Sequence, residues 1–371
     1  RELVPMNDLQ EIKTAQAQTS DALARILRKG SISFSGAKDI RDSLLRLKVG
    51  SSLSIAELLR VSALLRVALR ASDYGKRDHE PGEEDDALDA MFRELAPVVS
   101  LAKEIDRCIL SEEEIADDAS NGLRSVRRAM KTAAEKIRTQ LNSLVVNSRT
   151  YLQDGVITMR NGRYCVPVKA EHKSNVPGMV HDQSSSGSTI FVEPLSVVKL
   201  NNELRELEIR EQKEIEAVLA ALSNQTCDHL DELTLDLELI GELDFIFAKA
   251  ALSRHYRGCE PRLNKDGIIR LKNARHPLLD PHRVVPITLT LGENFDLLIV
   301  TGPNTGGKTV SLKTVGLLTL MGLAGLHVPA AEGTTLSVFT EVYADIGDEQ
   351  SIEQNLSTFS SHMTNTVKFL D

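Results

Sequence analysis

The chain has 371 residues, of which 42% are hydrophobic and only 4% aromatic, with no Trp. This length and apolar content predict two or three domains, each with a core of its own. The net charge of −9 excludes a protein that binds nucleic acid through its overall charge, and no run of about 18 apolar residues is present that could span a membrane.

The four cysteines are spaced irregularly. Cys108, Cys165, Cys227 and Cys259 are separated by 57, 62 and 32 residues. These spacings match no zinc-ligand or CxxC pattern, so we expect free thiols. Free thiols are typical of a reducing compartment, and we therefore expect a cytoplasmic protein.

Residues 1–154 are predicted to be helical. In LRVSALLRVALRAS (59–72), apolar residues recur at steps of three and four, which is the spacing of one helix face. A second amphipathic helix lies in the strongly basic stretch 121–150, which contains seven Lys or Arg and one Glu. Two interpretations of this charge remain open. It is a solvated helix face, or it contacts a phosphate backbone, with Arg127 and Arg128 as candidates.

The pattern changes near residue 155. Two β-rich runs in GVITMRNGRYCVPV flank Asn161-Gly162, a dipeptide that favours a type I′ turn, so a β-hairpin is predicted. Two more short strands follow around SSSG, which gives a small β-rich insert at 155–194. The Ser- and Gly-rich segment of the insert and its cations suit phosphate contacts. The alternative is that these residues only build hairpin turns. The candidate cations are Arg160, Arg163, Lys169 and Lys173.

Two long helices are predicted next, at 196–223 and 227–256. In both, apolar residues recur every three or four positions, with interruptions at Glu211 and Asp244. This spacing is typical of a coiled-coil seam, and the short segment SNQTCD between the helices predicts that they pack antiparallel. We expect 195–260 to form a long helical arm that returns to the helical core.

A phosphate-binding motif begins at residue 302. GPNTGGKT matches GxxxxGK[ST], with the apolar run DLLIVT before it and helical spacing after it, so a buried strand, a loop and a helix are predicted. Such a loop lets backbone N–H groups converge on phosphate, and the helix N-terminus adds partial positive charge. Lys308 is expected to reach the β- and γ-phosphates of ATP, and Thr309 to supply a Mg²⁺ ligand. The predicted loop residues are Gly302, Pro303, Asn304, Thr305, Gly306, Gly307, Lys308 and Thr309.

The loop resembles that of the MutS family, because Pro-Asn follows its first Gly. ARHPLL (274–279) is similar to the Arg-His-Pro segment that opens the family's ATPase domain, and DIGDEQSIEQNLSTFSSHM (345–363) is similar to its signature loop. VHDQSSSGSTIFVEP (180–194) resembles a segment of the second bacterial paralogue branch. That branch lacks the mismatch-reading domain and carries a C-terminal Smr nuclease domain. The resemblance covers nearly the whole chain.

The resemblance implies a multidomain, mostly α fold. Lever and core helices at 1–154 carry a clamp-like β-rich insert at 155–194 and a long antiparallel coiled-coil-like arm at 195–260. Residues 261–371 correspond to the N-terminal half of an α/β P-loop ATPase domain of the ABC type. The family's Walker B strand with its catalytic Glu, and the Smr domain, are expected after Asp371. We therefore expect an incomplete copy of a larger protein, without ATP turnover of its own.

The resemblance also implies where ATP and Mg²⁺ bind. Ser357 matches the signature serine, which reaches the γ-phosphate bound by the other subunit, so a homodimer with two composite sites is implied. Val284 lies where the family stacks an aromatic ring on adenine, and its aliphatic side chain departs from that pattern. His276 is expected to hydrogen-bond within the Arg-His-Pro turn. The FRE tripeptide at 92–94 imitates the family's mismatch-reading motif, but it lies in a plain amphipathic helix and is not expected to read mismatches.

Two functions remain open. The first is an ATP-dependent dimeric clamp that binds branched DNA and suppresses homologous recombination, with endonuclease activity in the Smr domain. The second is a ribosome-collision sensor that grips stalled ribosomes through rRNA and splits or marks them. The same clamp serves either substrate, because phosphate contacts position a protein on DNA and RNA alike. Post-replicative mismatch repair is disfavoured by the missing mismatch-reading domain, and a transporter-type ATPase explains neither the arm nor the insert.

Overall fold

The structure of the chain is a computed structural model, and it describes residues 3–76, 85–302, 307–345 and 367. Contacts within the chain divide it into two compact units. Unit 1 consists of Arg1–Ser35, Val67–Ala96 and Leu235–Asp371, and unit 2 of Gly36–Arg66 and Pro97–Thr234. Each unit is therefore assembled from segments that are not consecutive in the sequence.

Helices predominate, and the sheets are small, as the sequence predicts. The helices of the described residues are α1 (Leu9–Lys29), α2 (Arg41–Lys48), α3 (Ile55–Gly75), α4 (Asp89–Glu94), α5 (Val99–Cys108), α6 (Asn121–Asn147), α7 (Leu195–Cys227), α8 (Leu230–Tyr256) and α9 (Lys308–Leu323). The strands are β1 (Ile109–Ser111), β2 (Glu114–Ile115), β3 (Thr158–Arg160), β4 (Arg163–Lys169), β5 (Gly178–Gln183), β6 (Thr189–Pro194), β7 (Arg262–Asn264), β8 (Ile269–Ala274), β9 (Ile287–Leu291) and β10 (Thr335–Ser337).

An aromatic cluster lies in the core of unit 1. The ring of Phe247 on α8 meets the rings of Phe34, Tyr74 and Phe92 at centroid distances of 5.8, 5.8 and 6.2 Å. Edge-to-face pairs of this kind stabilise a core beyond the area that they bury. Phe92 is only 3% exposed, so its ring is not available to insert into DNA. This burial is consistent with the expectation that the FRE tripeptide does not read mismatches, which stays a prediction.

The sheet of unit 1 has the strand order β7-β10-β8-β9. Strand β10 pairs parallel with β7 and antiparallel with β8, and β9 pairs antiparallel with β8. A buried cluster beneath it includes Leu271 of β8, Leu318 of α9 and Leu336 of β10. Helix α9 is thereby packed against the sheet, which holds the start of this helix in position.

The strand predicted before the phosphate loop is not formed. Residues 296–301 have no strand assignment, and Leu297 and Ile299 are 75% and 74% exposed. A central apolar strand is stable only when neighbouring strands accept its backbone hydrogen bonds and cover its side chains. In the described ranges no strand pairs with residues 296–301, and their apolar side chains are therefore exposed to solvent.

Unit 2 contains a four-stranded antiparallel sheet with the order β3-β4-β6-β5. Strands β3 and β4 form the predicted hairpin, with Arg160 opposite Arg163. Asn161 and Gly162 lie between them with φ angles of 50° and 74°. Two consecutive residues of positive φ are what a type I′ turn requires, so the hairpin prediction is confirmed.

Within unit 2, helix α7 packs along α6, and the predicted antiparallel pairing of α7 with α8, most of which belongs to unit 1, stays a prediction. Arg127 Nε donates a hydrogen bond of 2.7 Å to Glu211, so this acid, which interrupts the apolar seam, has a partner on α6. The segment SNQTCD was predicted to be the connection, but it is helical up to Cys227. The hydroxyl of Thr226 donates to the carbonyl of Leu222 within α7, as hydroxyl side chains do in helices, and only residues 228–229 remain between α7 and α8.

Candidate functional site

The two described ends of the phosphate loop have glycine-specific backbones. Gly302 has a φ of 145° and Gly307 a φ of 80°, values that side chains with a Cβ disfavour. A Cβ added at either position would meet no atom within 4 Å, so the requirement for Gly is conformational and not steric crowding. The predicted residues Pro303, Asn304, Thr305 and Gly306 lie outside the described residues.

Lys308 bends back over the loop. It is the first residue of α9, and its Nζ donates a hydrogen bond of 2.7 Å to the carbonyl oxygen of Gly302. The cation is thus held at the N-terminus of the helix, between the two ends of the loop. No side chain caps α9 at Gly307, so the first N–H groups of the helix face the same region. Thr309 follows in the first turn and is exposed.

Val284 lies in a cleft of unit 1 with a volume of about 240 Å³. Asp280 begins the turn that positions it: the Asp280 carbonyl accepts from the N–H of Val284 at 2.9 Å. The cleft brings together residues that are distant in sequence, and its lining includes His255, Tyr256, Arg257, Arg275, His276, Pro277, Val284 and Pro329. This volume is below the range of about 300–1,000 Å³ that is typical of drug-sized ligands. It suits a single flat heterocycle.

Tyr256 is a mostly buried residue that lines this cleft, and it was not a predicted site residue. Its hydroxyl donates to the carbonyl oxygen of His327 at 2.6 Å, and Arg275 donates to the Tyr256 carbonyl at 3.1 Å. Burial raises the pKa of Tyr256, which keeps the phenol neutral. His276 Nδ1 accepts from the N–H of Leu278 at 3.3 Å, so the predicted hydrogen bond within the Arg-His-Pro turn is confirmed. The only sequence signal for Tyr256 was its position at the end of a helix before Arg257-Gly258.

The imidazole of His327, whose backbone carbonyl accepts from Tyr256, is buried in unit 1. It is 3% exposed, and its two nitrogens lie 2.9 Å from Ser20 Oγ and 2.8 Å from Ser253 Oγ. Ser20 Oγ in turn donates to Glu260 at 2.5 Å. Burial lowers the pKa of His327 against the opposing effect of Glu260, so the neutral ring is the form that the fold favours.

The hairpin cations of unit 2 are engaged inside the fold. Arg163 Nη1 lies 2.8 Å from the carboxylate of Glu193, whose side chain is fully buried. Arg160 lies 3.1 Å from Asp182 and 4.1 Å above the ring of Phe191. Both arginines therefore have partners within unit 2, Arg163 a buried one and Arg160 a partly exposed one, and the sequence gave no sign that Arg163 pairs with Glu193.

Of the other candidate cations, two have partners within the fold and two do not form ion pairs in the described residues. Arg127 lies 2.5 Å from Asp117 and 2.7 Å from Glu211. Lys169 donates to the carbonyl oxygen of Thr150 at 3.3 Å. Two further predicted contacts, Lys173 and Arg128, are exposed, and neither forms an ion pair within the part of the chain that the structure describes. The signature serine, Ser357, is outside that part.

The described residues contain neither a membrane-spanning helix nor a cluster of potential metal ligands. Within residues 3–76, 85–302 and 307–345, no helix is long and apolar enough to cross a membrane. The same residues include no group of three or more His, Cys, Asp or Glu that could hold a metal ion.

Known proteins resemble this chain over its full length. The family model described as MutS domain V matches residues 298–371. Proteins named "Endonuclease MutS2" match all of it, from Agathobacter rectalis with 57% identity over 100% of this chain and 47% of the relative, and from Lachnospira eligens with 56% identity over 100% and 46%. The protein of that name from Lachnoclostridium phytofermentans is 55% identical over 100% and 47%. The chain spans about half the length of the curated relatives it matches.

Proposed function

Because this chain belongs to the MutS family, in the branch of the proteins named Endonuclease MutS2, we propose that it is part of an ATP-dependent dimeric clamp on branched DNA. In the whole protein, the endonuclease activity that its relatives' names state would act on the DNA so held. Suppression of homologous recombination would follow, because branched DNA is the intermediate of strand exchange.

The observation that carries the ATPase proposal is the hydrogen bond from Lys308 Nζ to the Gly302 carbonyl. It keeps a cation at the uncapped N-terminus of α9, where the phosphates of a nucleotide would be bound. When ATP binds, the ammonium group exchanges this carbonyl for the stronger acceptor, a phosphate oxygen. The described residues therefore fit the phosphate end of ATP.

The cleft at Val284 is suited to the base. Tyr256 and Val284 provide apolar surfaces for a purine, and the backbone and side-chain polar groups of the Arg-His-Pro turn lie at the same cleft. The absence of an aromatic ring at position 284 predicts weaker stacking than an aromatic side chain would give. The base would consequently contribute less to affinity than the phosphates.

A Mg²⁺ ion at such a site requires few ligands from the protein. In nucleotide sites this ion is held by one or two protein oxygens together with substrate phosphates. The exposed hydroxyl of Thr309 in the first turn of α9 fits the single protein ligand. Ser357, from the second subunit of a homodimer, would stabilise charge at the γ-phosphate.

The test is the loss of nucleotide binding on Lys308→Ala. Lys313 is an exposed lysine of the same helix, so Lys313→Ala is the matched control for charge and helix propensity. In equilibrium titrations with a fluorescent ATP analogue, Lys308→Ala should weaken binding by more than about tenfold, which corresponds to about 1.4 kcal/mol. The control should bind like the wild type. Equal affinity of the two variants would refute the phosphate-loop assignment.

A further inference from the structure

We infer that one face of α6 binds the phosphate backbone of duplex DNA. The face consists of Arg124, Arg128, Lys131 and Arg138 and is called the basic face of α6 below. The inference deepens the proposed function and rests on it, because it names the surface on which the clamp would hold its DNA. It also places that surface on a helix and not on the hairpin of the β-rich sheet.

The spacing of the four cations puts them on one side of the helix. They follow one another at steps of four, three and seven residues, which bring side chains back to the same face. The opposite face is apolar and packs into the core of unit 2 through Val126, Ala133, Ile137 and Leu141. At about 1.5 Å per residue, the basic face extends over roughly 21 Å. One strand of DNA presents about six phosphates over that length, at roughly 3.4 Å each.

The cations of this face are available to a ligand. All four are exposed. Arg124 lies 3.7 Å from Asp118, with 51% of its side chain exposed, and the other three form no ion pair with any residue in the described ranges. Glu135 is the one acid on this side of the helix. An exposed cation without an internal partner loses little when it turns to a phosphate, whereas Arg127 and Arg163 would have to leave carboxylates.

The charge around the face favours a polyanion as its partner. The whole chain carries a net charge of −9, but residues 121–150 hold seven basic side chains and one acidic one. Helix α7, which packs along α6, has a mixed charge, with six acidic and four basic residues. Its exposed acids include Glu203, Glu206 and Glu216, and its exposed bases include Arg205, Arg210 and Lys213. The exposed cations of α6 form a row with a net positive charge, which favours a polyanion such as duplex DNA as its partner. Among polyanions we choose duplex DNA, because the proposed function, on which this inference rests, is a clamp on DNA.

The experiment measures the salt dependence of DNA binding by the 371-residue chain without nucleotide. In the test variant, Arg128, Lys131 and Arg138 are all replaced by Gln, which keeps helix propensity. In the control variant, Arg205, Arg210 and Lys213 of α7 are replaced by Gln, which removes the same charge from exposed positions of the neighbouring helix. The probe is a fluorescent branched DNA duplex, titrated at several KCl concentrations. Circular dichroism checks that both variants fold.

If the basic face binds phosphates, the slope of log K against log salt becomes shallower by up to about 2.7 in the test variant, from roughly 0.9 per contact. The control variant should retain the wild-type slope. Equal slopes in all three proteins would overturn the inference while leaving DNA binding, and with it the proposed function, intact. A wild-type chain that binds no DNA would overturn both.

Two further outcomes would assign the face to another partner. If the three substitutions change the sedimentation coefficient and not the salt slope, the basic face contacts a second copy of the chain. If the slope changes only with duplex RNA as the probe, the face belongs to an RNA-binding protein. Either result overturns the assignment to DNA.

Discussion

The carboxylate of Glu193 on β6 lies 2.8 Å from the guanidinium of Arg163 on β4, with the acid fully buried. The same carboxylate is 2.5 Å from His181 Nε2 on β5 and accepts from Asn201 of α7 at 2.8 Å. One buried charge therefore joins three strands and a helix. Burial acts to raise the pKa of Glu193, but the hydrogen bonds from Asn201, Arg163 and His181 outweigh it and leave the pKa lowered.

Glu193→Gln should destabilise unit 2 by about 2 kcal/mol, the usual range for a hydrogen bond to a charged group. The neutral amide of Gln leaves Arg163 without its counter-ion. Its NH₂ group also replaces a carboxylate oxygen, so a donor then faces one of the donors that the carboxylate had bound. The measurement is the midpoint of urea unfolding followed by circular dichroism. Asp182→Asn is the control, since Asp182 is about half exposed in its pair with Arg160, and it should cost less than about 1 kcal/mol. Equal losses in both variants would contradict a special role for the buried carboxylate.

His327 should make the protein less stable as the pH falls from 8 to 5. Its pKa is lowered from an ordinary value of 6.5, so the unfolded chain binds the proton more readily than the folded chain does. The stability due to the neutral ring is complete above pH 6.5 and is lost as the pH falls towards the folded pKa. Glu260 and Lys249 act on the ring in opposite directions, and burial decides the sign.

Urea unfolding at a series of pH values separates His327 from the other titrating groups. His327→Gln should flatten the dependence of the midpoint on pH between 8 and 5. His282→Gln, at an exposed position, should leave that dependence unchanged. Glu193 contributes in a lower window, because its pKa is lowered from 4.5 and its stability is lost only as the pH falls below that value. A wild-type slope in His327→Gln would show that another group titrates.

Val284→Phe should tighten ATP binding by about tenfold. Stacking of a base on an aromatic side chain is worth about 1–3 kcal/mol, and Val284 lines the cleft whereas its neighbour Val285 is 80% exposed and does not. Val285→Phe is therefore the matched control. Affinities come from titration with a fluorescent ATP analogue. An increase in both variants, or in neither, would remove the cleft at Val284 from the nucleotide site.

Local sequence signals predicted local structure well. Asn161-Gly162 carries the conformational preference for its turn in two residues, and the hairpin follows from it. The connection SNQTCD failed as a prediction because Ser223 and Thr226 donate to carbonyl groups of their own helix. Polar residues at that position thus continue α7 although they are frequent in loops.

The partners of charged side chains were less accessible to sequence reasoning. Arg163 and Glu193 are 30 residues apart, and Arg127 and Glu211 are 84 apart. A count of charges along the sequence cannot show such pairs, because tertiary packing creates them. The cleft at Val284 has the same origin, since its Tyr256 comes from α8. The loop glycines were predictable because their role is in the backbone of the loop itself.

The assembly of unit 1 from distant segments has a consequence for the order in which the chain folds on the ribosome. The hydroxyl of Thr19 on α1 donates to the carbonyl oxygen of Gly325, which is 306 residues later. At about 5–20 residues per second, translation of that interval takes roughly 15 to 60 s. All of unit 2 is therefore synthesised before Thr19 can meet Gly325. Helix α1 has earlier partners, because its Arg25 pairs with Asp86 and Asp89, but unit 1 can be completed only after its last segment, Leu235–Asp371, has been made.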